Sequence, residues 1–370
     1  MSTDEKTVSY ESFGVRASHE ELNLAGLGQW INKTFDLNDA RPLLPLGYFA
    51  NVLPLTETLA VAISTDGVGT KILVAQEVGR FDTIGIDCVA MNVNDIICVG
   101  AKPLAMVDYI AVATASGAFL GELAKGLYEG ARQARVSIPG GEVAQIREMI
   151  KGKDPDCAFD LVGTCIGTLD PRRLVVGEHV APGDVVVGLA STGVHSNGLT
   201  LARHALQTAG LGMGDRLPGI EGTLGDELLR PTAIYVPEVV AMLERGLDLK
   251  ALIHITSDGF LNLQRVKAGD VGYVLDQLPE PHPIFRAIQE HGGVPPQEML
   301  RVFNMGVGFC VVVGARDATA VREIAKSHGR PASVIGYVTR DSRRSVWLPQ
   351  HGLVGRGDAF TSTDEPPPAR

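Results

Sequence analysis

The chain has 370 residues, of which 45% are hydrophobic and 21% charged, a composition typical of a globular protein long enough for two domains. Its 33 basic and 43 acidic residues leave a formal net charge of -10, and no lysine- or arginine-rich run offsets it. A nucleic-acid-binding surface is therefore not expected. The five cysteines form no Cys-x-x-Cys pair, the first eleven residues lack the apolar core of a signal peptide, and no window is apolar enough to span a membrane. These features predict a cytoplasmic protein without a disulfide framework, a zinc site or a membrane anchor.

The first predicted elements surround an unusual strand end. Residues 1 to about 20 are polar and expected to be partly mobile, and a helical period predicts a short helix over residues 22–35. An apolar run at residues 59–63 predicts a buried strand. It leads into residues 64–71, which read Ser-Thr-Asp-Gly-Val-Gly-Thr-Lys.

Segment 64–71 places Asp66 at the end of that strand, followed by two glycines, a threonine and Lys71. A carboxylate there suits Mg2+, glycines let backbone N–H groups approach phosphate oxygens, and a lysine supplies positive charge. The segment therefore suits a metal-bound polyphosphate, although it is not a Walker A loop. A tight Asp-Gly hairpin turn is the alternative, and these residues alone do not separate the two.

Residues 82–100 predict a helix that Gly100 closes. This apolar segment carries four polar residues, Asp87, Asn92, Asn94 and Asp95. Buried carboxylates and amides need partners, so they either cap neighbouring loops or bind Mg2+ or a nucleotide. Their number within one helix favours binding.

A second glycine-rich strand end follows. Residues 136–139 predict a short strand that ends in Gly140-Gly141-Glu142. Alone this triplet is typical of a turn, but beside Asp66 at another strand end Glu142 would complete a metal site. The other elements of this half are two predicted strands and a helix, at residues 103–113, 159–169 and 119–135.

The second half opens with a third such junction. A strand over residues 184–190 leads into residues 191–198, Ser-Thr-Gly-Val-His-Ser-Asn-Gly, and then into a helix from Leu199. A strand, a glycine loop and a helix start form an anion site, because free N–H groups and the helix dipole face the loop. Capping of the helix by Ser196 or Asn197 is the alternative. A lone histidine such as His195 is more typical of a structural role than of catalysis.

The alternation of strands and helices predicts an α/β or α+β chain with two domains, residues 1–170 and 171–345. Residues 346–370 are polar and end near three consecutive prolines, so they are expected to form a flexible tail. No Gly-x-Gly-x-x-Gly lies between a strand and a helix, and Gly-x-Ser-x-Gly and His-Glu-x-x-His do not occur. The common dehydrogenase, hydrolase and zinc-protease signatures are therefore missing.

Taken together, these motifs resemble the phosphoribosylformylglycinamidine cyclo-ligase family, also called aminoimidazole ribonucleotide synthetases. The resemblance covers about residues 8–340 and keeps the family order of motifs, at residues 64–71, 82–95, 140–142, 193–198, 231–236 and 303–308. It implies a homodimer of two-domain α/β subunits in which the two N-terminal sheets join into a shared barrel and the C-terminal domain holds a mixed sheet with helices. It also implies ATP bound near that interface, with closure of the imidazole ring of formylglycinamidine ribonucleotide in purine biosynthesis.

The resemblance also implies roles for individual residues. ATP and Mg2+ are the implied cofactors, and a K+ requirement is left open. Metal ligands would be Asp66, Asp95 and Glu142. The nucleotide would be held by these residues together with Gly67, Val68, Gly69, Thr70, Lys71, Asp87, Asn92, Gly140 and Gly141. The substrate side would be lined by His195, Ser196, Asn197 and Gly198, and the implied catalytic residues are Lys71, Asp95 and His195, the last as an acid–base group.

Three loops depart from the family pattern, at residues 44–49, 143–148 and 257–264. They lie where bound ligands are expected, so the ATP machinery is retained while the acceptor is open. Two rivals remain: a paralogue that activates another small molecule, and a non-catalytic nucleotide-binding protein. A selenophosphate synthetase is disfavoured because the first cysteine is Cys88, and a hydrogenase-maturation protein because no cysteine ends the chain. Retention of several costly charged residues disfavours a decayed site.

Overall fold

The computed structural model describes residues 8–13, 24–37, 39–115, 117–152 and 154–370. Most of the polar N-terminal stretch expected to be mobile lies outside these residues. Within them the chain is a mixture of helices and strands arranged around two separate sheets. Among the described residues no helix is both long and apolar enough to cross a bilayer. All five cysteines are free.

In its described residues the N-terminal half contains five strands and four α-helices. In chain order these are α1 Leu24–Asn32, β1 Asn51–Pro54, β2 Ala60–Gly67, α2 Lys71–Val78, α3 Ile84–Ile97, β3 Lys102–Val112, α4 Gly117–Ala134, β4 Ser137–Gln145 and β5 Phe159–Leu169. The strands form one sheet in the order β1-β2-β5-β3-β4. All neighbouring pairs are antiparallel except β3 and β4, which are parallel.

The C-terminal half contains eight strands and six helices. These are β6 Val185–Ala190, α5 Leu199–Thr208, α6 Leu224–Leu228, α7 Val236–Glu244, β7 Leu249–His254, β8 Val271–Val274, α8 Pro283–Gly292, α9 Pro296–Val302, β9 Val307–Val313, α10 Ala318–Ser327, β10 Ala332–Arg340, β11 Val346–Leu348, β12 Leu353–Arg356 and β13 Ala359–Ser362. The eight strands form a mixed sheet in the order β13-β12-β11-β8-β10-β6-β9-β7. The mixed α/β architecture predicted from the sequence is confirmed.

The expectation of a flexible tail from residue 346 is wrong for residues 346–362. This segment supplies three strands, β11, β12 and β13, at one edge of the second sheet. Val346, Leu348 and Leu353 are buried, and β11 pairs in parallel with β8. The strands are three or four residues long, too short to produce a clear alternating pattern in the sequence.

Helices α3 and α4 pack closely because glycines line their contact. A Cβ atom on Gly85 would lie 2.1 Å from the backbone nitrogen of Leu127, and one on Gly126 would lie 2.5 Å from the Asp82 carbonyl oxygen. Larger residues would separate the helices. Gly100, with φ of +77°, ends the segment after α3, where the sequence placed the end of the helix.

The N-terminal sheet has one covered and one exposed face. Side chains alternate between faces along a strand, and the buried residues of β2 and β5 face α3. Ile63, Val107 and Tyr109 lie on the opposite face and are 38%, 44% and 41% exposed. This mixed sheet therefore has an apolar outer face that no second layer covers among the described residues.

Candidate active site

Asp66 stands at the end of β2, on the face of the sheet that meets α3. Asn92 of α3 fixes its backbone, because the Asp66 N–H donates to Asn92 Oδ1 at 3.0 Å and the Asn92 amide donates to the Asp66 carbonyl at 3.1 Å. The sequence predicted that Asn92 supports a nucleotide or a metal. In the structure its amide is engaged by the strand, so it positions Asp66 rather than offering a free group.

A second carboxylate lies beside Asp66. Asp95 Oδ1 lies 3.0 Å from Nδ1 of His254 at the end of β7, and Asp95 Oδ2 lies 3.5 Å from the Ser64 hydroxyl. Burial and the nearby negative charge of Asp95 together raise the pKa of Asp66 to about 6, opposed by the Gly67 N–H and by His254. Two close carboxylates that repel one another are stabilised by a cation between them.

This donor set fits Mg2+ in part. Asp66 and Asp95 supply two carboxylates of the kind that hard cations prefer, and a bound cation would offset the burial and repulsion that raise the pKa of Asp66. No cluster of three or more His, Cys, Asp or Glu side chains suited to a metal occurs within the described part of one chain. The third predicted ligand is therefore not with the other two.

Glu142 lies on the opposite face of the N-terminal sheet from Asp66. Asp66 pairs with Gly163 of β5, which pairs with Asp108 of β3 and then with Gly141 of β4. Paired residues share a face and successive residues alternate, so Glu142, next to Gly141, belongs to the outer face. The prediction that Glu142 joins Asp66 in one metal site is wrong within a single chain. The alternative of a turn at residues 140–142 is excluded as well, because β4 continues through the triplet to Gln145.

The loop at residues 66–70 joins a strand to a helix, so the hairpin alternative is excluded. The N–H of Gly67 donates to Asp66 Oδ1 at 2.8 Å, and the N–H of Val68 donates to the Leu161 carbonyl at 3.1 Å. Gly69 has φ of +72° and lies exposed. In the described part of the chain the N–H groups of Gly69 and Thr70 donate no hydrogen bond. These two groups, at the start of α2, are the ones available to an anion.

Lys71 is not available to a phosphate in this structure. Its side chain is 0% exposed, and its ammonium donates to Asp87 Oδ1 at 2.9 Å and to the Arg230 carbonyl at 2.6 Å. Burial lowers the pKa of Lys71 while the Asp87 carboxylate raises it. Asp87 Oδ1 also accepts from the N–H of Thr232 at 2.7 Å. Both residues were predicted to contact nucleotide, and both instead join α3 to residues 230–232.

Asn94 makes a second such joint. Its amide donates to the Ala233 carbonyl at 2.8 Å, and its Oδ1 accepts from the Tyr235 N–H at 3.0 Å. Of the four polar residues of α3, only Asp95 therefore keeps a partly exposed side chain, and it lies beside Asp66. The sequence favoured ligand binding for these residues, because the segment that satisfies Asp87 and Asn94 lies more than 130 residues away from them.

His195 is buried and serves as an acceptor for backbone groups. Its Nε2 accepts from the N–H of Thr192 at 3.2 Å and from that of Ala233 at 3.4 Å, and it has φ of +67°. Burial and nearby positive charge, including that of Lys71, hold the pKa of His195 well below its usual range. The ring is neutral at physiological pH and holds the 191–198 loop against residues 231–235. The geometry therefore supports the structural alternative for His195 and gives no support to the predicted acid–base role.

The other predicted substrate-side residues occupy the same loop. The Ser196 hydroxyl lies 3.1 Å from that of Thr232, and the partly buried Asn197 amide lies 3.9 Å from Met91 Sδ. Gly198 has φ of +81°, and a Cβ there would lie 2.4 Å from the Phe303 ring. Gly198 is therefore required by close packing, and Asn197 remains the residue of this loop with a side-chain amide open to a ligand.

Two of the three loops that depart from the family pattern meet in space. The Arg265 guanidinium lies over the Phe49 ring, 4.9 Å from its centroid, and donates to Asp258 at 2.7 Å. The Phe49 carbonyl accepts from the Ser64 hydroxyl at 3.2 Å, which places this contact beside Asp95. The third departing segment, at residues 143–148, begins within the edge strand β4 and continues past its end at Gln145.

The sequence left His254 and Thr232 without a role in the site. His254 precedes the departing loop at residues 257–264 and lies at the end of an apolar strand, as Asp66 does. Thr232 belongs to a family motif but carried no chemical signal of its own. A histidine directly after an apolar strand was the only available sign of the Asp95 partner.

Two family models match the chain. Residues 48–169 match the N-terminal domain of AIR synthase related proteins, and residues 181–348 match the C-terminal domain of the same group. The chain belongs to the AIR synthase family. Both halves of the family are present in order, and each match ends within one of the two sheets described above.

Curated relatives extend the family membership over nearly the whole chain. The chain is 47% identical over 333 residues to the phosphoribosylformylglycinamidine cyclo-ligase of Methanothermobacter thermautotrophicus, covering 90% of this chain and 94% of that protein. It is 44% identical to the protein of the same name from Methanocaldococcus jannaschii, covering 90% and 92%.

Solved structures show the same fold at low identity. A HypE–HypF complex matches with a TM-score of 0.60 and 20% identity, covering 92% of this chain and 100% of the matched one. The thiamine-monophosphate kinase of Stenotrophomonas maltophilia K279a matches with a TM-score of 0.55 and 20% identity, covering 85% and 93%. At this identity the likeness concerns the fold, which confirms the predicted AIR synthase-like architecture.

Proposed function

We propose that the chain is an ATP-dependent ligase that closes the imidazole ring of formylglycinamidine ribonucleotide, giving aminoimidazole ribonucleotide, ADP and phosphate in purine biosynthesis. The observation that carries this proposal is the 40–47% identity to proteins named phosphoribosylformylglycinamidine cyclo-ligase over about 90% of the chain. Identity of this extent spans both halves and therefore includes the loops of both sheets.

The chemistry defines what the site must supply. An amide oxygen is a poor leaving group until it is phosphorylated, after which an internal nitrogen displaces phosphate. Such a reaction depends on charge neutralisation and positioning more than on covalent help from the protein. A site with two carboxylates, open backbone N–H groups and few free acid–base side chains suits that demand.

ATP and Mg2+ are the proposed cofactors. Asp66 and Asp95 would hold the metal, which when bound would neutralise phosphate charge, and the N–H groups of Gly69 and Thr70 would bind phosphate oxygens. The open N–H groups and the raised pKa of Asp66 support this assignment. A fold neighbour of this chain, PurL of T. maritima, is described as complexed with ATP.

A homodimer is the proposed assembly. The apolar outer face of the N-terminal sheet, with Ile63, Val107 and Tyr109, has no covering layer in the part of the chain that the structure describes. A second copy of the same face would bury it, as the shared barrel of the family implies. Glu142 lies on this face, so in a dimer it would stand at the interface, where it would contribute to a site only together with a partner chain.

The domain division near residue 170 and a cytoplasmic location are also proposed. The two sheets share no strand pairing, and β5 ends at Leu169 before the second sheet begins at Val185. Free cysteines throughout are consistent with a reducing compartment.

A second candidate function keeps the ATP chemistry and changes the acceptor. Its support is Arg265, directly after the departing loop 257–264, which bonds Asp258 of that loop and lies over Phe49 of the other, next to Ser64. The purified protein should be incubated with Mg2+–ATP and formylglycinamidine ribonucleotide, and both ADP and aminoimidazole ribonucleotide measured. Equal formation of the two supports the cyclo-ligase. ADP without the imidazole favours another acceptor, and the absence of both, with no ATP-dependent thermal shift, favours a non-catalytic protein.

A matched pair of variants tests the site assignment in the same assay. Asp66→Asn should abolish ADP formation while leaving the fold intact, because the amide is neutral and binds a metal poorly. Asp358→Asn changes an exposed aspartate in the β12–β13 turn and should leave ADP formation unchanged. Normal turnover in Asp66→Asn would refute the metal assignment.

A further inference from the structure

The 66–70 loop and the 191–198 loop are joined at two places. The first is a direct contact between Thr70, at the end of one loop, and Thr200, in the first turn of α5 after the other. Their hydroxyl oxygens lie 2.9 Å apart. The two loops therefore do not move independently at this point.

The second joint is a buried chain of polar contacts. It starts at Lys71, the residue that follows the 66–70 loop, and passes to Asp87, which is 0% exposed. Asp87 Oδ1 accepts from Lys71 at 2.9 Å and from the N–H and hydroxyl of Thr232 at 2.7 and 2.6 Å. The Thr232 hydroxyl lies 3.1 Å from that of Ser196, inside the 191–198 loop.

The direction of the hydrogen bonds in this chain is fixed. An ionised carboxylate only accepts, so the Thr232 hydroxyl donates its single proton to Asp87. The Thr232 oxygen is then an acceptor, and the Ser196 hydroxyl donates to it. Displacement of any member leaves a buried polar group without its partner, which is unfavourable.

A buried ion pair is an inefficient way to stabilise a fold, because desolvation of both charges offsets most of their attraction. The Lys71–Asp87 pair is also incompletely satisfied, since Asp87 Oδ2 is buried without a hydrogen-bond partner among the described residues. What the pair does provide is a fixed distance between three segments, at residues 66–71, 87 and 230–232. The Lys71–Asp87 pair is therefore suited to holding these three segments in place rather than to stabilising the fold.

We propose that the Lys71–Asp87 pair and Thr232 are positioning residues that lock the 66–70 loop to the 191–198 loop, so that occupancy of one loop orders the other. This inference rests on the proposed function in one respect, since it takes Mg2+–ATP as the ligand of the 66–70 loop. In a reaction that joins a phosphoryl donor to an acceptor, such a lock sets the distance between the two bound molecules.

Thr232 is the member of the chain that can be changed most gently. Thr232→Val keeps the shape and the backbone N–H bond to Asp87 but removes the hydroxyl, and with it the hydroxyl bond to Asp87 and the link to Ser196. Thr232→Ser restores the hydroxyl. Thr339→Val is the matched control, because Thr339 is another buried threonine whose hydroxyl donates to the Ala369 carbonyl, at 2.9 Å, far from both loops.

Amide hydrogen exchange with and without Mg2+–ATP is the test, together with steady-state kinetics. In the wild type, Thr232→Ser and Thr339→Val, ATP should protect residues 66–71 and also residues 191–198. In Thr232→Val the protection should stay at 66–71 and be lost at 191–198. The same variant should lower kcat for ring closure about tenfold while KM for ATP stays within about twofold, since a positioning effect acts on the reacting complex.

The outcomes separate this inference from the proposed function. Protection of 191–198 that persists in Thr232→Val, or that is absent in the wild type while 66–71 is protected, overturns the lock and leaves the ATP site standing. No protection of 66–71 in the wild type overturns both. If Thr232→Val does not fold, Ser196→Ala removes the same Ser196–Thr232 hydroxyl link and is judged by the same loss of protection at 191–198.

Discussion

The Asp95 carboxylate lies 3.0 Å from Nδ1 of His254, where helix α3 of the N-terminal half meets the end of strand β7 of the C-terminal half. Both side chains are largely buried, and the ring nitrogen Nε2 of His254 has no hydrogen-bond partner among the described residues. The contact orients one of the two carboxylates proposed to hold Mg2+ from the opposite half of the chain.

His254→Asn is therefore expected to weaken Mg2+ binding without removing a ligand. Loss of a residue that orients a metal ligand costs about 10–100-fold in metal affinity or activity. A Mg2+ titration of ADP formation measures this as a shift of the midpoint. His291→Asn, which changes an exposed histidine of α8, should leave the midpoint where it is. An unchanged midpoint in His254→Asn would show that Asp95 does not act through this contact.

The pKa of Asp66 gives the metal-free protein a specific pH dependence. Burial and the neighbouring Asp95 raise this pKa from 3.8 to about 6, opposed by His254 and the Gly67 N–H. The folded chain therefore binds the proton more tightly than the unfolded chain. The resulting stability is complete below pH 3.8 and is lost as the pH rises through about 6.

Asp66→Asn removes this titration. In chelator-treated protein at pH 7 the variant should be more stable than the wild type, by up to about 3 kcal/mol, since one pKa unit corresponds to about 1.4 kcal/mol. Urea unfolding at several pH values measures the difference, which should vanish near pH 4. Addition of Mg2+ at pH 7 should stabilise the wild type and not the variant. Equal stability of both at pH 7 without Mg2+ would contradict the proposed repulsion.

His195→Asn should change stability and not the pH dependence of activity. Asparagine tolerates the left-handed backbone conformation that His195 adopts, with φ of +67°, but its shorter side chain does not reach both backbone donors. Two buried N–H groups left without acceptors cost about 1–3 kcal/mol each. Thermal unfolding measures the loss. A shifted inflection in the pH–rate profile between pH 5 and 8 would instead restore an acid–base role.

Gly308→Ala should destabilise the contact beneath the 191–198 loop. A Cβ at this position would lie 2.0 Å from Tyr235 Oη and 2.5 Å from His195 Cε1. Overpacking of this kind costs about 1–3 kcal/mol. Gly314→Ala is the matched control, because the nearest atom to its Cβ would lie 4.0 Å away. Similar melting temperatures for the two variants would mean that the Tyr235 ring is free to move aside.

Val107→Lys should convert the proposed dimer into a monomer. Val107 is 44% exposed on the outer face of the N-terminal sheet, so a lysine is tolerated in a single chain. In a face-to-face dimer it would place like positive charges at the interface, and these repel one another. Light scattering on a sizing column gives the mass. Tyr128→Lys, on the exposed side of α4, should keep the dimer mass. A wild type of monomer mass would refute this assembly.

Local sequence information was sufficient for most elements of the fold. The predicted strand at residues 159–169 has the bounds of β5, and the predicted helix ending at Gly100 contains α3. Such segments carry strong periodicity and clear end signals. Strands β11 to β13 were missed because they are short and are stabilised by a neighbouring sheet rather than by their own pattern.

The sequence by itself determined the family, the order of the elements and the strand ends that carry Asp66 and the 191–198 loop. Which polar residues remain available to a ligand depends on contacts that are visible only in the folded chain. Lys71 and Asp87 form an ion pair, and Lys71 also bonds a segment that begins 159 residues further along the chain. Their charges are therefore paired inside the protein and do not reach a ligand. Glu142 and Asp66 are separated because strand register places them on opposite faces of one sheet, and register is a property of paired strands rather than of either sequence.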